Sequence, residues 1–116
     1  MGRLSTHVLD ISRGKPADGI RWTLYKLRGG RQKISSGLTN SYGRTDQFLL
    51  DDSDIAIGSY ELIFEVADYF VREGVDLSSP PFLDYIPVRF NISSQDQNYH
   101  VPLLVSPYGY STYRGS

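Results

Sequence analysis

At 116 residues the chain has the length of one domain, expected to bury roughly 60 to 70% of its unfolded surface. Twelve Lys plus Arg against 13 Asp plus Glu leave a formal charge of -1, which argues against nucleic acid as the main partner because the net positive field is missing. Hydrophobic residues at 40% and charged residues at 22% exclude a disordered chain, and no apolar run approaches the roughly 18 residues that cross a membrane, so no membrane partner is expected.

Nine Tyr, five Phe and one Trp favour pleated surfaces over helices, with Gly and Pro as frequent punctuation. The first predicted strand is Leu4 to Asp10, with Leu4, Thr6 and Val8 on one face and Ser5, His7 and Leu9 on the other. Arg13 to Gly19 reads as a loop. Ile20 to Arg28 forms a hairpin with Gln32 to Leu38 through Gly29-Gly30. Asn40 to Gly43 is a turn that delivers Arg44 to a short segment ending near Leu50. Ser59 to Ala67 alternates as a strand, and Asp68 to Glu73 fits a helical turn capped by Asp68 and ended by Gly74. After Pro80-Pro81 come strands Tyr85 to Ile92, Tyr99 to Ser106 and Tyr108 to Gly115, in which Pro87 and Pro102 need places without a ladder donor. Seven or eight short strands predict an all-β, two-sheet β-sandwich with one short helix, filling 1–116 as a single domain.

The chemistry available is limited. There is no Cys, hence no disulfide, thiolate nucleophile or Cys-ligated zinc. The only histidines are His7 and His100, and strand parity sends both away from the larger apolar sets, onto the outer face of a sheet. A monomer shows them to water, and a partner subunit can bury them. A neutral imidazole suits general-base work near neutrality. A nearby guanidinium, Arg44 or Arg114, disfavours the imidazolium and stabilises negative charge on a substrate oxygen. Asp51, Asp52 and Asp54 read as solvated loop acids without calcium geometry. Gly14 to Gly19 lacks phosphate-loop spacing, and Ser111 and Ser116 have no nucleophile elbow around them. The run from Met1 to Asp10 shows no secretory apolar stretch, so the cytoplasm is the expected compartment.

Three separated segments resemble one family: Leu4-Ser5-Thr6-His7-Val8-Leu9-Asp10 with Gly14-Lys15-Pro16-Ala17, then Gly43-Arg44-Thr45-Asp46, then Tyr99 to Leu104 through Tyr110-Ser111-Thr112-Tyr113-Arg114-Gly115-Ser116. Together they are similar to the 5-hydroxyisourate hydrolases, also called transthyretin-related proteins. The closing Tyr-Arg-Gly-Ser is the most specific element, unlike transthyretin itself. The resemblance implies a transthyretin-like sandwich assembled as a homotetramer, a dimer of dimers, with active sites in the channel where dimers meet. It implies hydrolysis of 5-hydroxyisourate to 2-oxo-4-hydroxy-4-carboxy-5-ureidoimidazoline, with no cofactor and no metal; zinc held by histidines across the channel would be incidental or inhibitory. His7, Arg44 and His100 are the implied catalytic residues, and His7, Arg44, Tyr113, Arg114 and Ser116 the implied substrate-binding ones. Asn98 replaces the first His of a usual His-Tyr-His run. Phe48 replaces a common Pro and is expected to pack beside Leu49 and Leu50. The competing reading is a non-catalytic, transthyretin-like carrier of a small ligand.

Overall fold

A computed structural model describes residues 2–116. Its strands are β1 (Leu4–Asp10), β2 (Lys15–Pro16), β3 (Arg21–Leu27), β4 (Arg31–Leu38), β5 (Gly58–Glu65), β6 (Tyr85–Ile92), β7 (Tyr99–Ser106) and β8 (Gly109–Thr112), with a helix α1 (Ala67–Arg72) between β5 and β6. They form two four-stranded sheets, β2-β1-β7-β8 and β4-β3-β5-β6, the all-β sandwich expected from the alternation. Inward-facing Leu4, Val8, Leu24, Leu62, Phe64, Ile86, Leu103 and Val105 fill the space between the sheets. Among the described residues no helix is long and apolar enough to cross a membrane.

The decisive pairing for the site is β1 with β7. These strands run parallel in the register Ser5 to His100, His7 to Pro102 and Leu9 to Leu104, so both ends of the sequence lie side by side. Their inner residues are buried and the alternate ones half-buried apart from Pro102, which is buried as well.

Several expected boundaries differ. The strand expected to run to Gly115 stops at Thr112, and Pro102 explains why. The Gly115 N–H bond to the His100 carbonyl shows that alternate residues of β7 direct their backbone groups toward β8. Pro102 has that orientation but no N–H to give, and its carbonyl accepts the Thr112 hydroxyl at 2.7 Å instead. Pro87 lies on β6, an edge strand, where a missing donor is tolerated. The segment after Arg44 forms no strand, only a bridge between Leu50 and Leu4, and part of the expected 13–19 loop forms β2. α1 starts earlier than Asp68 allows as a cap: Val66 is the N-cap residue without a side-chain cap, because burial of Val66, Tyr69 and Phe70 sets the helix register. Gly74, at a φ of 84°, ends it as expected.

The end of β1 is tied to the helix through a buried carboxyl group. Asp10 is fully buried and accepts the Tyr69 hydroxyl at 2.8 Å, the Ser12 N–H at 3.0 Å and the Ser12 hydroxyl at 2.5 Å. Burial first, then the bond to Asp10, push the Tyr69 hydroxyl well above its ordinary pKa, so it stays a donor at every physiological pH. Tyr69→Phe is expected to lower the unfolding free energy by about 2 kcal/mol, a typical value for a hydrogen bond to a charged group, as read from urea denaturation.

Candidate functional site

The outer face of the β1–β7 pair carries Ser5, His7 and Leu9 from one strand and His100, Pro102 and Leu104 from the other. Ser111 of β8 lies opposite Leu104 on the same face. His7 and His100 are therefore diagonal neighbours across one ladder, on the face their parity predicted, and both are half-buried.

Arg44 reaches this face through a rigid turn. The Asn40 side-chain oxygen accepts the N–H groups of Tyr42 at 3.0 Å and Arg44 at 3.1 Å, and Asn40 N–H donates to the Arg44 carbonyl at 2.8 Å. The turn docks on β1 through the Val8 N–H, which donates to the Gly43 carbonyl at 2.7 Å. Only glycine serves at 43. Its φ is 73°, and a Cβ there would lie 2.3 Å from the Val8 carbonyl oxygen. The tight approach holds the Arg44 backbone next to β1, close enough for its exposed guanidinium charge to act on both histidines.

The same turn fixes the His7 ring. Its Nε2 lies 2.9 Å from the Tyr42 carbonyl oxygen, which can only accept, so Nε2 carries the proton and Nδ1 presents the lone pair. His100 Nδ1 lies 2.9 Å from the Ser5 hydroxyl. Burial, and next the Arg44 guanidinium, hold His7 below its usual 6.5, against the bond to Tyr42. Burial, Arg44 and then His7 itself do the same to His100, against hydrogen bonding to Ser5. Both imidazoles are neutral at pH 7, the form that accepts a proton.

The carboxyl-terminal candidates are arranged differently. Tyr113 is 59% exposed. Arg114 does not join Arg44: its guanidinium stacks 4.3 Å over the Tyr99 ring and donates to the Gln97 side chain at 3.2 Å and the Asn98 carbonyl at 3.3 Å. Ser116 borders a shallow groove with Gln97, Asn98, Arg114 and Gly115. Asn98 is exposed. Phe48 stands outside the core that buries Leu49 and Leu50: it is 50% exposed, under the Arg3 guanidinium at 4.8 Å. The Asp51 carboxylate closes a local turn by accepting from the Ser53 N–H and hydroxyl. Among the described residues no three His, Asp or Glu side chains converge as metal ligands.

A larger groove than the one beside Ser116 lies elsewhere, between β4 and the 45–54 loop, and contains neither histidine. The candidate site is thus an open sheet face. Sequence reasoning missed Ser5, the Tyr42 carbonyl, Asn40 and the contact of Gly115 with His100. Ser5 could have been found, since it shares the His7 face by period two.

The chain matches the model of the HIUase/Transthyretin family over residues 4–115. It is 53% identical over 116 residues to 5-hydroxyisourate hydrolase 2 of Rhizobium meliloti, covering 99% of this chain and 97% of that one. The crystal structure of (S)-allantoin synthase superposes with a TM-score of 0.93 at 42% identity, covering 99% of this chain, which spans 44% of that longer chain. The Klebsiella pneumoniae 5-hydroxyisourate hydrolase structure matches with a TM-score of 0.80 at 34% identity and covers 100% of both chains. A sandwich whose parallel first and seventh strands carry His7 and His100 on one outer face, matched along nearly its whole length, belongs to the HIUase/transthyretin family.

Proposed function

We propose that this chain hydrolyses 5-hydroxyisourate, the substrate named for its relatives. The observation that carries this reading is the convergence of two neutral imidazoles and a guanidinium on one sheet face. In the step proposed, a histidine takes a proton from water as its oxygen bonds to a ring carbonyl carbon. Arg44 stabilises the negative charge that develops on the carbonyl oxygen. The carbon–nitrogen bond then breaks, and the leaving nitrogen takes the proton from the imidazolium. Tyr113 and Ser116 complete the pocket for the flat ring, and Arg114 contributes by holding their segment against Tyr99.

Assembly as a dimer of dimers belongs to the same reading. The histidine face is only half-buried in one chain, Leu9 and Leu104 lie beside the rings, and a second such face would exclude water from the reacting groups. Sedimentation equilibrium is expected to return the mass of a tetramer.

The activity test generates 5-hydroxyisourate from urate with urate oxidase and follows the decay of its ultraviolet absorbance. The expected result is decay far faster than the spontaneous rate. A decay no faster than the spontaneous one overturns the hydrolase reading in favour of a ligand carrier.

A further inference from the structure

The His100 ring is gripped by residues from opposite ends of the sequence, and neither has a part in the chemistry proposed above. We propose that Ser5 and Gly115 are positioning residues that lock the His100 imidazole in the orientation presenting its Nε2 to the substrate. This inference rests on the hydrolase reading and deepens it.

On one side stands Ser5, directly opposite His100 in the β1–β7 register, with its hydroxyl 2.9 Å from Nδ1. For Nε2 to take a proton, Nδ1 must carry its own hydrogen, so in the proposed arrangement the Ser5 hydroxyl accepts from Nδ1–H both before and after Nε2 is protonated. On the other side Gly115 packs closely beside the ring. Its N–H donates to the His100 carbonyl at 2.7 Å, and an added Cβ would come within 2.7 Å of His100 Cδ2, 3.1 Å of Cβ and 3.2 Å of Cγ. Real Cβ atoms essentially never approach so closely. Unlike Gly43, Gly115 does not have a left-handed backbone, so what it supplies is space. Any larger residue at 115 must turn the imidazole or push the terminal segment off β7. With Nδ1 engaged by Ser5 and the Cδ2 edge covered, Nε2 makes no hydrogen bond among the described residues and is the nitrogen left for the substrate.

A base displaced by about 1 Å can lose roughly 10²-fold in rate, which is the scale of a methyl group intruding on this ring. Gly115→Ala is therefore expected to lower kcat by about 10²-fold with a much smaller change in KM. Ser5→Ala removes one hydrogen bond and is expected to lower kcat by up to about tenfold. Ser5→Thr, which keeps the hydroxyl, should restore most of that loss.

The deciding experiment is a double-mutant cycle with coupled urate assays on the intact assembly, thermal melts confirming that each variant folds. If Gly115 and Ser5 act through His100, both substitutions become silent in a His100→Ala background. Losses that persist undiminished in that background overturn the proposal, as does wild-type kcat in Gly115→Ala. The His100 ring resonances, titrated by NMR, supply a readout independent of turnover. Displaced resonances in Ser5→Ala and Gly115→Ala, with the His7 resonances little moved, support the clamp, and unchanged ones overturn it. An inert wild-type protein overturns the hydrolase reading alone, and the NMR titration still decides the clamp.

Discussion

His7→Ala and His100→Ala are each expected to lower kcat for 5-hydroxyisourate hydrolysis by about 10²- to 10⁴-fold, the usual worth of a positioned general acid or base. Both rings are half-buried on the same face, so neither loss opens a cavity in the core, and thermal melts should move little. The double variant should fall little below the worse single one if the rings serve one proton transfer, because residues acting as a unit are not additive. The tautomer adds a finer expectation. His7 donates Nε2–H to Tyr42 and offers Nδ1, whereas His100 has Nδ1 engaged by Ser5, and the clamp proposed above leaves Nε2 to take the proton. Glutamine at 7 or 100 can imitate one of these nitrogens as a donor but cannot accept a proton at neutral pH, so it should not rescue turnover. Retention of wild-type kcat by both alanine variants, in stopped-flow assays with fresh substrate, would remove the case for base catalysis.

Arg44→Ala is expected to cost about 10²- to 10³-fold in kcat/KM, the range for removing one strong donor from a developing oxyanion. It carries a second signature with a definite sign. The guanidinium is among the causes that hold both histidines below 6.5, since a neighbouring positive charge opposes protonation. In the wild type, kcat/KM should be flat near neutrality and fall on acidification with a midpoint below 6.5. Removing Arg44 lifts that opposition, so the acid limb of the residual activity moves to higher pH. Arg44→Gln should shift it likewise, and Arg44→Lys should hold it near its original place while losing the paired donors of the fork. An acid limb unmoved in Arg44→Ala would mean that burial, with the influence of His7 on His100, depresses the imidazoles without Arg44.

Much of this arrangement can be read in the residues. β1, β6 and β7 begin and end where strict alternation meets turn chemistry, and the outward parity of His7 and His100 follows from the same period. What escapes is everything set by long-range register. Nothing local says that β1 pairs with β7 in parallel, so Ser5 opposite His100 and Gly115 against its ring become visible only in three dimensions. The end of β8 is not legible in its own residues because the obstacle, Pro102, lies on the neighbouring strand. Arg114 and Arg44 are equivalent as sequence symbols; Tyr99 draws one away, and the Asn40 turn delivers the other. The start of α1 was set by the burial of Tyr69 and Phe70, which outweighed the capping preference of Asp68.

The parallel β1–β7 ladder has a consequence for how activity arises during synthesis. Ser5 and His100, whose side chains touch, are 95 positions apart in the chain. A nascent chain that has not yet emitted β7 leaves β1 without its neighbour, and loops this long close slowly. Activity should therefore emerge all at once, only when β7 has been made and has paired with β1, and a product truncated before Tyr99 should be inert rather than weakly active.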